Sequence, residues 1–328
     1  MVGKNLDWPI GDGFIVINPR GISKTALTIS GKKPARWISK YGSITFNQFG
    51  NGFPLCGMNE AGLVVEELSF SPSVYPEVDT LCFVNELQWI QYQLDNYQST
   101  GEVVRSLGSP AIARLMFGLH YLVCDRAGNT AVIEFIDGEI HVYTGKLLEV
   151  AVLTNNRYDN SLRYLHHHAG FGGERVVGNG PESPERFVRA ASLLREFPTI
   201  RDNSPLQFAQ KILQSVRQHD TRWSIIYDPL SATIRYRTRL SREFIILHLD
   251  SLISAAKKPL YRNLPEEGGG SVYEQPEFRP YDAAEAEPLI RRIFSKMLQT
   301  GDFDNLRLKN IRGKILDFNK IEVWEGQQ

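Results

Sequence analysis

The sequence predicts an α+β fold in which two antiparallel sheets pack against each other and helices cover their outer faces. Two observations predict it. Short runs of β-branched and aromatic residues, joined by turn residues, occur in three blocks along the 328-residue chain. Between these blocks the apolar residues recur at helical spacing. Blocks of strands that alternate with blocks of helices are typical of an α+β fold.

The first block of strands begins at residues 13–18, an apolar run that ends in a Pro-Arg-Gly turn. Such a run is typical of a buried strand. Residues 37–46 and 62–70 carry β-formers on either side of a loop at residues 47–52, which is rich in Gly and Asn. We expect these two segments to be adjacent strands and the loop to face a ligand.

A block of helices and a second block of strands follow. Apolar residues at helical spacing predict one helix within residues 79–97 and a shorter one at 101–107. The period then changes to that of strands at residues 120–124, 131–136 and 140–143. Short turns that contain Gly join these three strands, so an antiparallel meander is expected.

The second half of the chain repeats this order. Helices are expected at residues 183–197 and 204–217, because a Ser-Pro pair at the start offers a cap and a proline for the first turn. Three further strands are expected at residues 224–227, 233–236 and 244–249. They form the second meander.

Residues 1–258 are expected to form the main domain, and residues 259–328 an extension packed on it. Residues 259–280 are rich in Gly and Pro, which predicts an exposed connection. Residues 283–298 predict one amphipathic helix. The extension is not expected to fold alone, because it is too small to bury much apolar surface by itself.

Composition argues against several functions. The 37 basic and 37 acidic residues give a net charge of +0, so no basic field favours nucleic acid as a partner. No apolar run approaches the roughly 20 residues of a membrane span. Cys56, Cys82 and Cys124 are too few and too scattered for a disulfide framework or a zinc site. Adjacent histidines at residues 166–168 cannot all reach one ion and are expected to be solvated, so neither metal nor cofactor is expected.

Five motifs within residues 3–252 give the chain a family resemblance. They are residues 3–8 (GKNLDW), 39–47 (SKYGSITFN), 57–63 (GMNEAGL), 153–156 (LTNN) and 183–187 (SPERF). Any one would be weak, but five in this order are specific. The chain resembles the choloylglycine hydrolase and penicillin V acylase family of N-terminal nucleophile hydrolases, which cleave linear amides. The resemblance implies a four-layer αββα sandwich and a small N-acyl amide as substrate.

The resemblance also assigns roles to particular side chains. Asp7 matches the carboxylate that holds the α-amino group of the N-terminal nucleophile, and Asn155 matches the donor to the oxyanion. Arg186 matches a further cation of the site, and Lys4 stands where the family usually carries arginine. Lysine keeps the charge but loses the planar fork of donors.

Ser69 matches the position whose backbone N–H is the second donor to the oxyanion. Bile-salt hydrolases tend to carry asparagine there and some penicillin acylases tyrosine, and serine is neither. The connection between residues 165 and 183 is also shorter than the insertion that helps bile-salt hydrolases to assemble. Bile salts are therefore disfavoured as substrates, whereas penicillin V, acyl homoserine lactones and fatty-acid amides stay open. Assembly into a homo-oligomer also stays open.

The nucleophile of this family is an N-terminal cysteine, and no cysteine precedes Gly3 in the sequence. We expect the natural chain to start upstream, one strand and a turn earlier, with that cysteine. A signal segment there would make the protein periplasmic or secreted, whereas the sequence as written is that of a cytoplasmic protein. At near-neutral pH the α-amine of such a cysteine, with a pKa of about 7.7 to 8.0, can act as the base.

Two alternatives to the enzyme stay open. One is an inactive relative that binds acyl amides or a protein partner, and the other is a purely structural sandwich. A chain that starts at Met1 would leave an unpaired sheet edge, which proteins normally avoid. Cys56 is a poor substitute nucleophile, because no His or carboxylate near it in sequence suggests activation of its thiol.

Overall fold

The computed structural model describes residues 1–29, 31–77, 82–197, 204–241, 243–264, 277–301 and 303–320. One of its two main sheets has four strands. Their spatial order is β1 (Val2–Asp7), β13 (Thr221–Asp228), β14 (Thr233–Thr238) and β15 (Ile245–His248). Neighbouring strands pair antiparallel throughout, so the second predicted meander is confirmed and β1 lies at its edge.

The other main sheet has nine strands and contains the first meander. Their spatial order is β12 (Glu139–Thr144), β11 (Thr130–Ile136), β10 (Leu119–Cys124), β7 (Val64–Ser69), β6 (Pro54–Asn59), β5 (Ser43–Asn47), β2 (Gly13–Asn18), β16 (Leu260–Leu264) and β17 (Arg279–Pro280). Two short pairs stand apart, β3 (Ser23–Thr25) with β4 (Arg36–Ile38) and β8 (Phe83–Val84) with β9 (Ala111–Ile112). Among the strand pairs of the described residues, only β8 with β9 is parallel.

Eight helices are found in the described residues. They are α1 (Glu86–Asn96), α2 (Thr100–Arg105), α3 (Tyr158–Leu165), α4 (Ser183–Glu196), α5 (Pro205–Ser215), α6 (Leu249–Ala255), α7 (Ala283–Thr300) and α8 (Asn305–Lys320), with a 3-10 turn at Gly145–Leu147. None of them is long and apolar enough to cross a membrane. Helix α1 packs on β6 and β7, and α5 packs on β1 and β13.

The two sheets face each other through aromatic side chains. The ring of Phe46 on β5 lies 6.2 Å from Trp223 and 5.5 Å from Tyr236, which belong to the four-stranded sheet. All three rings are buried, so this contact is part of the core between the sheets. With α1 outside one sheet and α5 outside the other, the layers run α, β, β, α. The predicted sandwich is confirmed.

One strand that the sequence prediction missed lies in the middle of the large sheet. Residues 37–46 and 62–70 were expected to be neighbours, but β6 lies between β5 and β7 and pairs with both. Its sequence, PLCGMN, contains a proline and a glycine, which usually argue against a central strand. The close approach of neighbours explains Gly57, because a Cβ there would lie 2.6 Å from the Ile44 carbonyl oxygen.

The predicted helices α4 and α5 are both present, and each has its proline in the first turn as expected. Ser204 stands at the N-cap of α5 as predicted, whereas Ser183 is the first residue of α4 and Glu182 is its cap. Neither Glu182 nor Ser204 makes a side-chain capping bond. The Ser183 hydroxyl instead donates to Thr154 Oγ1 at 2.9 Å. Of the predicted helix at residues 79–97, α1 covers the second part, and residues 79–81 lie outside the described residues.

The extension is more ordered in its described part than the sequence predicted. Residues 260–264 were expected in a connection, but they form β16, which pairs antiparallel with β2 in the large sheet. Residues 265–276 of that connection lie outside the described residues. One helix was expected and two are present. The second, α8, was not predicted because Gly313 and polar residues interrupt its apolar spacing. We call α7 and α8 together the C-terminal hairpin.

Candidate active site

The five side chains predicted for the site surround one cavity. Lys4 and Asp7 come from β1, Ser69 from the end of β7, Asn155 from the loop before α3, and Arg186 from the first turn of α4. The cavity has a volume of about 110 Å³. The structure therefore brings together residues that are up to 182 positions apart in the chain.

Three of these side chains form a continuous line of polar contacts. Arg186 Nη1 lies 3.6 Å from Asp7 Oδ2, and Arg186 Nη2 donates to Asn155 Oδ1 at 2.9 Å. Burial lowers the pKa of Arg186 and the Asp7 carboxylate opposes that effect, so the guanidinium stays charged. Asp7 also accepts hydrogen bonds from Thr221, at the start of the neighbouring strand β13, and from Gln218, which precedes that strand. These bonds fix the orientation of its carboxylate.

The amide of Asn155 is held at both ends. Its oxygen is engaged by Arg186, and its Nδ2 donates to the Ser69 carbonyl oxygen at 3.1 Å. An amide nitrogen has two donors, so this contact leaves one N–H for the solvent-exposed side of the cavity. The bond from Ser183 to Thr154 anchors the preceding residue of the loop. Asn155 is therefore placed as a hydrogen-bond donor into the cavity.

The backbone N–H of Ser69 is a second donor at this point. Phe70 N donates to the Gly118 carbonyl at 2.8 Å, which makes Ser69 and Leu119 a non-hydrogen-bonded pair of the antiparallel ladder. Strand β7 pairs with β6 only as far as Glu66. Neither neighbouring strand therefore takes the Ser69 N–H, as far as the described residues show. Ser69 lies next to Asn155, whose Nδ2 donates to its carbonyl oxygen.

Lys4 is buried rather than solvated at a fraying end. Its Nζ lies 3.1 Å from Glu66 Oε2 and 3.3 Å from Glu67 Oε1, and it donates to the Glu67 carbonyl oxygen at 2.9 Å. Burial alone would lower the pKa of Lys4, but the carboxylates of Glu67 and Glu66 outweigh it and raise the pKa. Burial also raises the pKa of Glu66 to about 7, even though Lys4 opposes the shift. We call Lys4, Glu66 and Glu67 the buried charge cluster.

Sequence reasoning missed both glutamates. The signal was present in β7, where a pair of acidic residues follows an apolar run that predicts a buried strand. A carboxylate in such a strand is rarely buried without a partner. Lys4 was the available partner, but the pairing spans 62 or more positions and no periodicity reveals it.

The other side chains around the cavity are mostly apolar, and they were also not predicted. They are Leu6, Trp8, Leu55, Leu68, Leu87, Phe117 and Leu119, with Asn5, Gln48 and Glu67 as the remaining polar members. Trp8 packs edge-on against Phe117 with ring centroids 6.5 Å apart. Apolar side chains and hydrogen-bonding groups therefore line the same cavity.

Glu86 fixes the loop that carries Phe117. Its two carboxylate oxygens accept from the backbone N–H groups of Leu115, Met116 and Phe117 at 2.6, 2.6 and 2.8 Å. Burial raises the pKa of Glu86, and the three backbone donors oppose that shift. The loop is thus pinned from the first turn of α1, and Phe117 keeps its place in the wall.

Two other candidates from the sequence do not contribute. Cys56 is buried in β6, and burial raises the pKa of its thiol, so it is not an activated nucleophile. His168 is buried, against the expectation of a solvated run, because its Nδ1 bonds the Tyr164 carbonyl and its ring packs on Tyr164. Over the described part of the chain no cluster of His, Cys, Asp or Glu is placed to hold a metal.

A groove runs along β1 and meets the first cavity. Its volume is about 260 Å³, and its walls come from β1, from the inner face of the large sheet at Leu68 and Leu122, and from α5 at Leu213. Lys4, Asn5, Asp7 and Arg186 line both the groove and the cavity. The groove therefore leads directly to the polar contacts of the site.

The chain matches a known protein family and a curated protein. The family model described as linear amide C–N hydrolases, choloylglycine hydrolase family, matches residues 1–234. A penicillin V acylase of Pectobacterium atrosepticum is 29% identical in an alignment of 179 residues that covers 49% of this chain and 47% of the relative. The chain thus matches about half the length of this curated relative.

Two solved structures share the fold. A penicillin V acylase from Agrobacterium tumefaciens has a TM-score of 0.68 at 24% identity, over 79% of this chain and 86% of its own. A variant of a conjugated bile acid hydrolase from Clostridium perfringens has a TM-score of 0.66 at 17% identity, over 82% of this chain and 94% of its own. At these identities the likeness establishes the architecture.

Proposed function

Because the chain belongs to the choloylglycine hydrolase family of linear amide C–N hydrolases, we propose that it hydrolyses the amide bond of a small N-acylated compound. The observation that carries this proposal is the line from Asp7 through Arg186 to Asn155, which ends beside the Ser69 N–H at an apolar cavity. A carbonyl oxygen placed between Asn155 Nδ2 and the Ser69 N–H would have two donors as it gains negative charge.

The proposed nucleophile is an N-terminal cysteine on a segment that precedes Gly3. The groove beside β1 supports this assignment, because an extended segment that pairs with the outer edge of β1 would end among Lys4, Asp7 and Arg186. Asp7 would then hold the α-amino group in place. Lys4 would supply positive charge near the thiolate.

The proposed reaction has two steps. The α-amine takes the thiol proton, the thiolate attacks the carbonyl carbon, and the C–N bond breaks as the leaving amine receives that proton. Water then attacks the thioester, gives its proton to the α-amine, and releases the carboxylic acid and the thiol. Asn155 and the Ser69 N–H stabilise the oxyanion in both steps.

The acyl group is proposed to be aromatic or a short aliphatic chain. Apolar side chains line much of the cavity and offer no hydrogen-bond partner for a polar acyl group; they include Leu6, Leu55, Leu87, Phe117 and Leu119. A cavity of about 110 Å³ is also close to the size that holds a single benzene ring. A steroid nucleus is larger, so bile salts stay disfavoured.

The test starts with N-terminal sequencing and the intact mass of the protein from its native source. We expect a mature chain that begins with cysteine and hydrolyses N-phenylacetyl anilides. Replacement of that cysteine by serine is expected to lower kcat by about 100-fold or more, because a hydroxyl is a much weaker nucleophile than a thiolate.

The 328-residue chain is the matched control, and it should bind the same anilides without consuming them. Equal turnover by this chain would contradict the proposed nucleophile. A native chain that starts at Met1 or Val2, binds the anilide and leaves it intact would instead favour a binding protein.

A further inference from the structure

A buried pair, His120 on β10 and Glu134 on β11, lies behind the proposed oxyanion site. Both side chains are fully buried, and His120 Nδ1 lies 3.0 Å from Glu134 Oε1. Neither residue lines the cavity, so neither touches a substrate bound there. His120 stands opposite Leu68, the lining residue that precedes Ser69 on β7. The pair is therefore next to the strand that carries the proposed backbone donor.

Glu134 holds the start of the helix that follows Asn155. Its Oε1 accepts a hydrogen bond at 3.0 Å from the backbone N–H of Tyr158, the first residue of α3. The first N–H groups of a helix have no acceptor within the helix, so an acceptor from outside fixes where the helix begins. Asn155 lies three positions before Tyr158. Glu134 therefore fixes one end of the loop that carries Asn155.

Tyr158 anchors the other end of the same loop. Its hydroxyl donates to the Val150 carbonyl at 2.8 Å and accepts from the Val150 backbone N–H at 3.1 Å. The two ends of the segment 150–158 thus meet at one side chain. The bond from Glu134 to Tyr158 consequently locates the whole loop, Asn155 included, relative to β11.

The ring of Tyr158 extends this support to α4. It packs edge-on against Phe187 with ring centroids 6.0 Å apart, and both rings are buried. Phe187 directly follows Arg186, whose Nη2 donates to Asn155 Oδ1 at 2.9 Å. Both partners of that hydrogen bond are therefore supported at Tyr158, one through the loop and the other through the helix.

His120 supports the other proposed donor. Its ring stacks on Phe70, with centroids 4.9 Å apart and an angle of 12° between the ring planes. Phe70 directly follows Ser69, and its backbone N–H donates to the Gly118 carbonyl at 2.8 Å. Phe70 is thus held by its side chain and by its backbone, which fixes the end of β7 where Ser69 lies.

We propose that His120 and Glu134 are positioning residues, which hold the side-chain amide of Asn155 and the backbone N–H of Ser69 at the spacing that an oxyanion requires. The inference rests on the proposed amide hydrolysis. The hydrogen bond between the pair ties the support of Ser69 to the support of Asn155. Donors stabilise an oxyanion only where the charge develops, and a displacement of about 1 Å can cost about 100-fold in rate.

The test removes the acceptor at residue 134 and measures both geometry and rate. Glu134→Met keeps the length of the side chain but takes the acceptor from Tyr158 N–H and His120 Nδ1. In a crystal structure of the 328-residue variant, we expect Asn155 Nδ2 to leave hydrogen-bond distance of the Ser69 carbonyl, which it contacts at 3.1 Å in the unmodified chain. In the cysteine-led chain, kcat should fall about 10- to 100-fold while KM stays within about twofold.

Glu134→Gln is the conservative variant, because its amide oxygen can still accept both hydrogen bonds. It should restore the Asn155 contact and bring kcat to within about threefold of the unmodified chain. Asp125→Leu is the matched control. Asp125 is also buried and accepts from three backbone N–H groups, but it follows β10 at the end remote from Ser69. This control should lower stability and leave kcat unchanged.

If Glu134→Met does not fold, Phe70→Leu tests the same inference, because it removes the ring stack on His120 without changing a polar group. It should lower kcat about 3- to 10-fold. An unchanged Asn155 contact in Glu134→Met, or a kcat in Glu134→Met or Phe70→Leu equal to that of Asp125→Leu, would overturn the inference. Failure of the proposed function looks different. The Asn155 contact would still be lost in Glu134→Met, which supports the positioning role, while the unmodified cysteine-led chain would show no turnover.

Discussion

The line from Asp7 to Asn155 and the buried charge cluster contact the same cavity, but their charges are balanced differently. In the line, one carboxylate meets one guanidinium, and neutral donors from Thr221 and Gln218 complete the carboxylate. In the cluster, two carboxylates share one ammonium, and all three side chains are at least nine-tenths buried. The line can therefore orient a reacting group, whereas the cluster contributes chiefly to stability and to its dependence on pH.

Removal of Lys4 is expected to have the largest effect on stability. Lys4→Met would leave Glu66 and Glu67 buried without their cation, and breaking a buried pair in this way costs about 3–5 kcal/mol. Urea unfolding of the 328-residue chain measures the loss. Lys146→Met, at an exposed lysine, is the control and should change the unfolding midpoint little.

A second change sharpens the assignment. If the cost of Lys4→Met comes from unpaired carboxylates, then adding Glu66→Gln should recover part of it, as a double-mutant cycle would record. A Lys4→Met variant no less stable than Lys146→Met would mean that the cluster does not hold its charges as the distances indicate.

Removal of the Asn155 amide is expected to affect catalysis rather than folding. Asn155→Ala takes one donor from the proposed oxyanion site, which is worth about 3–4 kcal/mol, so kcat of the cysteine-led chain should fall by roughly 100- to 1,000-fold. Its thermal stability should change little, because the side chain is exposed.

Asn156→Ala is the control for that loss, because Asn156 is the next residue of the same loop and does not line the cavity. It should keep most of the activity. A rise in KM at unchanged kcat in Asn155→Ala would assign the amide to ground-state binding and would contradict the role in the oxyanion site.

Much of the fold could be predicted from the sequence, because local patterns determine it. Turn residues between β-branched runs revealed both meanders, helical spacing revealed α1 and α7, and a Ser-Pro pair revealed α4. Strand β6 and helix α8 escaped, since Pro54, Gly57 and Gly313 break the local pattern and the packing of neighbours overrides it. The secondary-structure propensity of a segment carries no information about the elements that pack on it.

The site divides in the same way. Lys4, Asp7, Ser69, Asn155 and Arg186 could be placed because each belongs to a motif of the family or matches one of its positions, and the structure puts them around one cavity. Glu66, Glu67 and Phe303 could not be placed, because none of them belongs to a motif of the family. Their contacts with Lys4 and Trp8 also join segments 62 or more positions apart. Their functional roles stay predictions.

The smallest expected effect is a pH dependence of stability that originates in Glu66. Burial raises its pKa to about 7 in the folded chain, above the value of about 4.3 for an exposed glutamate. The folded state therefore binds more protons than the unfolded state between these pH values, so stability falls as pH rises from about 4.3 to 7 and then levels off. We expect this group to account for about 1–3 kcal/mol of that fall.

Chemical denaturation at pH 5 and pH 7.5 measures this dependence. Glu66→Gln keeps the shape of the side chain without the proton, so the contribution of this residue should disappear and the variant should lose less stability across the interval. Glu139→Gln, at an exposed position of β12, should behave like the unmodified chain. The same pH profile for Glu66→Gln and Glu139→Gln would contradict this prediction. It would mean that Glu66 is already ionised at pH 5 in the folded chain. The single charge of Lys4 could not then balance both Glu66 and Glu67, so a group outside these three side chains would have to balance the second carboxylate.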